Sequence, residues 1–239
     1  MTEITDRPNI SVFFPCYNDA GTIGELEERS MLVLKKIAYK YEVIVIDDGS
    51  SDESPEILKL LAVKFKHFRP IFHKQNQGYG GALKSGFKAA RFDLIFYTDG
   101  DGQYDVRELP ILLSLMSPDV NFVNGIKMER KDFVYRVIVG NLYAMATRWA
   151  FLLPIYDVDC DFRLIRGEVA KKLDLHSNSG SICVEIVKKA QMMGAKFRMV
   201  SIHHYPRKYG QSQFFHFGKL CETFVELSGL WWKLMILKK

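Results

Sequence analysis

The length, composition and charge of the chain exclude several classes of protein. Its 239 residues are 48% hydrophobic and 26% charged, which suits one large globular domain or two small ones with a sizeable buried core. The formal net charge of +5 suits an anionic partner, either a nucleotide, a phospholipid surface or a nucleic acid. No apolar run approaches the roughly 18 residues of a membrane-spanning helix, and residues 1–9 lack a signal-peptide core, so we expect neither.

Apolar segments of two kinds alternate along the first half of the chain. Short, continuously apolar runs predict buried strands, and longer segments with helical spacing predict helices. We predict strands at 10–14, 42–46, 68–73 and 92–98, and helices at 22–41, 54–66 and 81–90. This alternation predicts an α/β fold with a mostly parallel central sheet and helices on both of its faces.

The second half of the chain is less regular. We predict helices at 109–116, 133–153, 164–173 and 184–193, and strands at 121–125 and 196–203. No repeat, low-complexity tract or linker interrupts the sequence, so we expect one domain over residues 1–239. The four cysteines, at 16, 160, 183 and 221, form no CxxC pair and no metal-site spacing, which predicts reduced and mostly buried thiols.

Polar motifs follow the predicted strands, where parallel sheets bind ligands. Asp99-Gly100-Asp101 places two carboxylates that can hold Mg²⁺ or Mn²⁺, although an exposed Asp/Gly-rich turn is an alternative. A second acidic strand end, Asp47-Asp48, favours a shared crevice. The glycines after Asn76 do not complete a phosphate-binding motif, because Leu83 and Phe87 occupy positions that GxGxxG and the P-loop reserve for glycine and lysine.

Six segments, in order, resemble a family 2 glycosyltransferase. They cover roughly residues 10 to 215, and the last two are most similar to the branch of dolichyl- and polyprenyl-phosphate sugar synthases. The segments are "VFFPCYND", "VIVIDDGSSDES", "NQGYGGALKSGF", "YTDGDGQYD", "DVDCDFRLIRGEV" and "HHYPRKYGQSQF". The resemblance implies a GT-A (Rossmann-like) fold with a nucleotide-sugar-binding half at 8–125, an acceptor half at 126–215 and an amphipathic helix at 216–239.

The resemblance also implies roles for residues on the donor side. Asp48 would accept a hydrogen bond from the nucleobase with Asp47 nearby, although Asp48 could instead be a turn residue or helix cap. Asp99 and Asp101 would form the DXD motif, with Asp101 as the direct metal ligand. The other implied donor-site residues are Pro15, Tyr17, Asn76, Gly78, Lys84, Gly100 and Gln103.

Acceptor-side residues follow from the last two segments. Strand alternation would turn Asp157, Asp159 and Asp161 to one face, where Asp157 or Asp159 would orient the acceptor and stabilise developing oxocarbenium charge. Asp161 and Arg163 could instead form a structural ion pair. Glu185 is either a further candidate or a surface acid.

Cations in the last segment match the family's phosphate-binding loop. Arg207 would clamp phosphate bidentately, which lysine does less well, and His204 and Lys208 are candidates to assist. The alternative is a solvated basic loop. Gly210 and Ser212 predict a loop that orders over the bound donor.

The stretch "GIKMERKDF" departs from the branch, which often has an arginine where this chain has Lys127 and keeps the second arginine, Arg130. Lysine retains the charge but loses the guanidinium fork, so the contact to acceptor or donor sugar would differ.

The C-terminal stretch places apolar residues at helical spacing. Trp231-Trp232 and Lys238-Lys239 suit a membrane interface, and a core-packing or dimer helix is the alternative.

Taken with the resemblance, these features predict an inverting, Mg²⁺- or Mn²⁺-dependent transferase that moves sugar from a UDP- or GDP-sugar to a polyprenyl (dolichyl or undecaprenyl) phosphate. We expect a cytoplasmic enzyme at the inner membrane face, with no nucleic-acid partner and a possible homo-oligomer. One alternative is transfer to a glycan hydroxyl, which would need a general base among Asp157, Asp159 and Glu185. Another is a non-catalytic nucleotide-sugar-binding module.

Overall fold

The computed structural model describes residues 7–128, 134–209 and 217–238. Their strands form one seven-stranded sheet in the order β3-β2-β1-β4-β6-β5-β7. The strands are β1 (Ile10–Cys16), β2 (Tyr41–Asp47), β3 (Phe68–Phe72), β4 (Leu94–Tyr97), β5 (Phe122–Met128), β6 (Arg163–Arg166) and β7 (Phe197–His203). The helices are α1 (Ala20–Ile37), α2 (Ser54–Lys64), α3 (Gly78–Ala89), α4 (Leu109–Ser114), α5 (Val134–Phe151), α6 (Gly167–Ala170), α7 (Ile182–Met192) and α8 (Phe217–Trp231).

The first four strands confirm the predicted parallel sheet. β1 pairs in parallel with both β2 and β4, and every residue of β1 is buried. Its side chains alternate between two apolar cores: Val12 packs into the core that contains Leu34 of α1, and Phe13 into the core that contains Leu83 of α3. Both faces of the sheet are thus covered by helices, and this double burial explains why the strands read as continuous apolar runs.

Strand β6 corrects the prediction of a helix at 164–173. Arg163–Arg166 is a strand, and only Gly167–Ala170 beyond it is helical. β6 runs antiparallel between β4 and β5, and its first residue, Arg163, pairs with Tyr97, the last residue of β4. The segment that leads into β6 therefore arrives at the carboxyl ends of the parallel strands.

That leading segment, residues 157–161, corrects a second prediction. It forms no strand, and the chain turns at residues 158–159. The expectation that strand alternation turns Asp157, Asp159 and Asp161 to one face is therefore wrong.

Helix α3 starts at Gly78, earlier than predicted, and two glycines in its first turn allow close packing. A Cβ at Gly80 would lie 2.3 Å from the carbonyl oxygen of Ser177, and one at Gly78, whose φ is +80°, would lie 2.6 Å from that of Asn178. The Gly80 N–H donates to the Asn178 carbonyl at 2.8 Å. These contacts join the start of α3 to the loop before α7.

Helix α8 packs against the end of α5. The indole N–H of Trp231 donates to the Ala150 carbonyl at 3.0 Å, and Leu230 is buried in the second core. Three cysteines, Cys16, Cys160 and Cys183, are buried free thiols, as predicted. Throughout the described ranges, no helix combines the length and apolar character that a membrane crossing requires.

Candidate functional site

The carboxyl ends of β1 and β4 meet in close contact. A side chain at Gly100 would lie 2.5 Å from the carbonyl oxygen of Pro15, so only glycine fits between them. The hydroxyl of Thr22, in the first turn of α1, donates to the Gly100 carbonyl at 2.8 Å. These contacts fix the turn that carries Asp99 and Asp101 against the end of β1.

Asp99 lies half-buried within a group of acids. The Tyr79 hydroxyl donates to its Oδ1 at 2.7 Å. Burial raises the pKa of Asp99 well above its ordinary value, and the neighbouring charges of Asp161 and Asp101 raise it further. A cation placed here would relieve that repulsion.

Asp101 is paired with Arg207. A guanidinium nitrogen of Arg207 lies 2.5 Å from Asp101 Oδ2, and another lies 3.9 Å from Asp19 Oδ1. The second oxygen of Asp101 accepts from the Gln103 N–H at 3.0 Å. Asp19 lies within the quoted "VFFPCYND", although no role was predicted for it. Burial raises its pKa to about 6.

Backbone pairing delivers Arg207 to this position. The Tyr205 N–H donates to the Gln103 carbonyl at 2.8 Å, and the Gln103 side-chain amide donates to the Tyr205 carbonyl at 3.1 Å. Between them, Tyr104 and His204 form an isolated antiparallel bridge with ring centroids 5.2 Å apart. The segment after β7 is thus aligned along the turn that carries Asp99 and Asp101.

The donor set fits a hard divalent cation. Asp99 and Asp101 supply carboxylate oxygens, the ligands that Mg²⁺ and Mn²⁺ prefer, and their repulsion favours a positive occupant. Within the described residues, histidines, cysteines and acids form no cluster of three or more suited to a metal.

Asp48 lies buried at the end of β2. Its Oδ1 accepts from the Gln77 N–H at 2.9 Å and lies 2.6 Å from Nδ1 of His73, a residue that the sequence analysis did not single out. Neighbouring Asp47 is also buried, and its Oδ1 accepts from the Ser50 N–H at 3.3 Å.

The remaining donor-side candidates lie around this edge with different surroundings. Pro15 is buried within β1, whereas Tyr17 beyond it is half-buried. The Asn76 side-chain oxygen accepts from the Gly78 N–H at 3.0 Å. Lys84 is tied to the loop before α7, since its ammonium donates to the Asn178 side-chain oxygen at 2.6 Å.

Lys127 and the acids after α5 form one interacting group. The Lys127 backbone N–H donates to Asp157 Oδ2 at 3.1 Å. The Lys127 ammonium donates to the Asp159 carbonyl at 2.6 Å and also lies 3.7 Å from Asp157 Oδ1. Burial raises the pKa of Asp159 to about 6, although the Lys127 charge opposes this. Arg130, Gly210 and Ser212 lie outside the described residues.

The ion pair of Asp161 and Arg163 is structural, which confirms the alternative interpretation. Their side chains lie 3.6 Å apart, and Arg163 is completely buried. The Arg163 guanidinium also donates to the Tyr97 hydroxyl at 2.8 Å, and the Cys183 thiol donates to Asp161 at 3.3 Å. These contacts hold the segment before β6 in place.

Glu185 is not a surface acid, and the structure does not place its carboxylate at this edge. It is completely buried, accepts from the backbone N–H groups of His176 and Ser177 at 3.0 and 2.8 Å, and pairs with Lys189 at 2.8 Å. Its contacts stabilise the loop before α7, so the surface-acid alternative is wrong, and its assignment to the acceptor stays a prediction.

Comparison with known protein families identifies the family of this chain. The model described as glycosyl transferase family 2 matches residues 11–174, more than half of the chain. The chain belongs to glycosyl transferase family 2.

Individual relatives agree with the family. The chain is 27% identical to an undecaprenyl-phosphate 4-deoxy-4-formamido-L-arabinose transferase from Yersinia enterocolitica, over 90% of this chain and 65% of the relative. It is 28% identical to the transferase of the same name from Pectobacterium carotovorum, over 94% of this chain and 68% of the relative. The chain thus spans only about two thirds of the length of these curated relatives.

Solved structures confirm the GT-A fold. Glucosyl-3-phosphoglycerate synthase from Mycobacterium tuberculosis, in complex with Mn²⁺, UDP and glucosyl-3-phosphoglycerate, has a TM-score of 0.68 at 14% identity, covering 95% of this chain and 79% of that one. A mannosyltransferase from Pyrobaculum calidifontis, with GDP-mannose and Mn²⁺, has a TM-score of 0.64 at 21% identity, covering 94% of this chain and 65% of that one.

Proposed function

We propose that the chain transfers a sugar from a nucleoside-diphosphate sugar to a polyprenyl phosphate. The observation that carries this proposal is the meeting of Asp99, Asp101 and Arg207 at the carboxyl edge of the sheet. Acids for a divalent cation and an arginine for phosphate are what a nucleotide diphosphate requires. The undecaprenyl-phosphate transferases among the relatives support a lipid phosphate as acceptor.

On the donor side, Asp48 would accept a hydrogen bond from the nucleobase. Asp99 and Asp101 would hold Mg²⁺ or Mn²⁺, and a metal bound there would neutralise charge on the leaving diphosphate. When the donor binds, Arg207 would leave Asp101 and contact the diphosphate instead. Its guanidinium can donate two parallel hydrogen bonds to the diphosphate. That contact should strengthen as the glycosidic bond breaks and negative charge develops on the leaving group.

On the acceptor side, Asp157 or Asp159 would orient the attacking phosphate oxygen and stabilise positive charge at the anomeric carbon. An acceptor phosphate is already ionised, so no general base is needed and a single inverting displacement suffices. Lys127, already bonded to this segment, would supply positive charge near the acceptor phosphate.

A hydroxyl acceptor is the second candidate, favoured by one observation. The pKa of Asp159 is raised by burial to about 6, which suits a general base near neutral pH. Under this alternative Asp159 would remove the proton of a glycan hydroxyl.

Peripheral binding to the inner face of a membrane completes the proposal. Large apolar side chains on α8 and the helical turn after it are exposed, including Phe224 at 72% and Trp232 at 55%. Trp149 is 73% exposed near the end of α5, where α5 contacts α8, and we propose that it belongs to the same membrane-binding surface. Residues 8–125 would bind the donor, residues 126–215 the acceptor, and residues 216–239 the membrane.

Organic extraction tests the proposed activity. The purified chain would be incubated with radiolabelled UDP- and GDP-sugars, polyprenyl phosphate and Mg²⁺ or Mn²⁺. We expect metal-dependent transfer of label into the organic phase, and its loss in Asp101→Asn. In a parallel incubation with an added glycan, label found only in the glycan would favour the hydroxyl acceptor. Binding of nucleotide sugars with neither transfer nor hydrolysis would contradict the enzyme proposal and indicate a binding module.

A further inference from the structure

His73 links Asp48 to helix α3 through a buried chain of hydrogen bonds. Nδ1 of His73 lies 2.6 Å from Asp48 Oδ1, and Nε2 lies 2.8 Å from the Ser85 hydroxyl. The His73 and Asp48 side chains are 7% and 5% exposed. His73 follows β3, Asp48 follows β2, and Ser85 lies within α3, so the chain crosses three elements.

The chemistry of the three groups fixes the direction of the first bond. An ionised carboxylate only accepts, so Nδ1 of His73 carries the proton that it shares with Asp48. Nε2 then accepts from the Ser85 hydroxyl when the imidazole is neutral. The ring is thus held at both nitrogens, and its orientation toward Asp48 is fixed.

Asp48 is held on one side by two donors. Nδ1 of His73 and the Gln77 N–H both bond to Oδ1. Because only 5% of the Asp48 side chain is exposed, a ligand reaches it along one edge. A carboxylate fixed in this way accepts well from a ring N–H, as in uracil or guanine. It repels a ring nitrogen that is itself an acceptor, as in cytosine.

We infer that His73 is a positioning residue that orients Asp48 for nucleobases with a ring N–H. This inference rests on the proposed function, since it requires Asp48 to contact the nucleobase. His73 itself need not touch the ligand. Losing its bond leaves Asp48 free to rotate and weakens the preference for uracil or guanine over cytosine.

The same order of groups occurs in nucleophilic catalysis, but the surroundings of Ser85 do not suit it. Ser85 lies inside α3, which runs from Gly78 to Ala89. Backbone N–H groups inside a helix are bonded within the helix and are not free to stabilise an oxyanion. The chain of bonds therefore serves orientation rather than attack.

Two substitutions distinguish the contribution of His73 Nδ1 from that of Nε2. The side-chain amide of His73→Asn can replace Nδ1 and donate to Asp48, whereas that of His73→Gln lies near Nε2 and loses this bond. Binding of UDP, GDP and CDP with Mn²⁺ would be measured by calorimetry, with inorganic pyrophosphate as a ligand that lacks a base. His67→Gln, the same change at the exposed opposite end of β3, is the matched control.

We expect His73→Gln to weaken UDP or GDP binding about 10-fold or more, as for loss of a hydrogen bond to a charged group, while pyrophosphate binding stays unchanged. The preference over CDP should fall, and KM for the donor should rise more than kcat falls. His73→Asn should restore most of the affinity. Thermal unfolding of each variant would show whether the fold is intact.

Three outcomes would overturn the inference. His73→Gln could bind UDP and GDP as the parent does, or lose pyrophosphate affinity in parallel with nucleotide affinity, which would indicate a structural role. In both cases the proposed function stands if Asp48→Ala abolishes nucleotide preference. A parent chain that binds no nucleoside diphosphate would defeat the proposed function and this inference together.

Discussion

Asp101 and Arg207 are 106 positions apart in the sequence, yet their side chains are in direct contact within the proposed donor site. The Arg207 guanidinium compensates the charge of Asp101, which otherwise lies beside other acids. In the proposed complex a metal would pair with Asp101 and a diphosphate with Arg207, so neither charge would be left uncompensated.

Replacing Asp101 tests the metal assignment. Asp101→Asn should keep the fold and lower transfer by about 100-fold or more, because it removes a ligand charge beside the leaving group. Binding of Mn²⁺ in the presence of UDP, followed by calorimetry, should weaken in parallel. The control is Glu56→Gln on α2, whose side chain is 67% exposed. Parental turnover at saturating metal would rule out Asp101 as a ligand.

Replacing Arg207 tests the phosphate clamp. Arg207→Lys keeps the charge but loses the paired hydrogen bonds, so the activation free energy should rise by about 2 to 4 kcal/mol. Because the contact strengthens toward the transition state, kcat should fall by a larger factor than KM rises. Arg198→Lys, at the exposed opposite end of β7, is the matched control. If steady-state kinetics gave a lysine variant with parental kcat, Arg207 would be one more charge on a basic loop.

Glu27 predicts a pH dependence of stability. It is completely buried in α1, and neither carboxylate oxygen has a hydrogen-bond partner in the described residues. Burial raises its pKa from 4.5 to about 7, with the charge of Glu28 adding to the rise. The folded state therefore binds the proton more tightly than the unfolded state. Deprotonation of Glu27 therefore lowers the free energy of unfolding. This loss is absent below about pH 4.5 and reaches its full value, up to about 3 kcal/mol, above about pH 7.

Glu27→Gln should remove this loss of stability. Its free energy of unfolding at pH 8 should exceed that of the parent by about 1 to 3 kcal/mol, and the difference should vanish near pH 4. Urea unfolding across this pH range is the measurement. Glu25→Gln, on the same helix with a side chain 60% exposed, should show no such trend. A parent whose stability does not fall between pH 5 and 8 would contradict the assignment.

The sequence could identify side chains carried by local motifs, but not their partners. Asp48, Asp101 and Arg207 each belong to a short segment typical of the family, and the structure brings Asp101 and Arg207 into contact. His73 lies outside the six segments, and Tyr79, although within "NQGYGGALKSGF", was given no role from the sequence. Their roles depend on contacts that only the folded chain creates.

Helices and strands were predicted correctly where the apolar pattern of a segment fits only one of the two. Strands β1, β2 and β4 are buried and mostly apolar, and all four parallel strands of the first half were found within a few residues of their predicted bounds. The segment at 164–173 mixes apolar and charged residues over a short length, where helix and strand patterns overlap. Pairing with β4 and β5 makes its first three residues, 164–166, part of strand β6.

Helix α8 is joined to the loop before α7 by Glu226. Its Oε2 accepts from the hydroxyls of Ser181 and Ser179 at 2.6 and 2.8 Å and from the Ser179 N–H at 3.1 Å. Burial alone would raise the pKa of Glu226, but these hydrogen bonds outweigh it and hold the pKa below its ordinary value. The same loop packs on the first turn of α3, so α8 supports the donor side indirectly.

Removing the charge of Glu226 should loosen this connection. Glu226→Gln should lower the free energy of unfolding by about 1 to 2 kcal/mol at pH 7, as for a lost charged hydrogen-bond acceptor. Since the pKa is lowered in the folded state, the difference should shrink as pH falls below about 4. Chemical unfolding at both pH values checks this, with the exposed Glu168→Gln as control. Equal stability of Glu226→Gln and parent at pH 7 would contradict the predicted role.

For the molecule as a whole, the exposed apolar surface of α5 and α8 predicts where a membrane would bind. Trp232→Glu places a charge where the proposal puts the lipid interface, so binding to vesicles with anionic lipid should weaken about fivefold or more. Co-sedimentation with such vesicles is the measurement. Tyr39→Glu, 70% exposed on the loop before β2, should leave binding unchanged. If both variants bound as the parent does, this surface would have another partner, such as a second copy of the chain.

The sequence predicted the layers of the fold, a sheet covered by helices, more completely than it predicted the order and direction of the strands. Alternating strands and helices require a covered parallel sheet. Nothing in the local pattern shows that β6 inserts in the opposite direction between β4 and β5, because this depends on packing between segments distant in sequence. The acids before β6 reach the candidate site only through that insertion.

The insertion of β6 also determines how far the chain can be divided. Strand β5 begins at Phe122, yet its neighbours in the sheet, β6 and β7, both come from beyond residue 160. A fragment that ended near residue 125 would therefore contain a truncated β5 without its native neighbours and would expose an edge of β4, which invites aggregation. The proposed donor and acceptor regions therefore share one sheet, and we expect neither to fold when it is expressed alone.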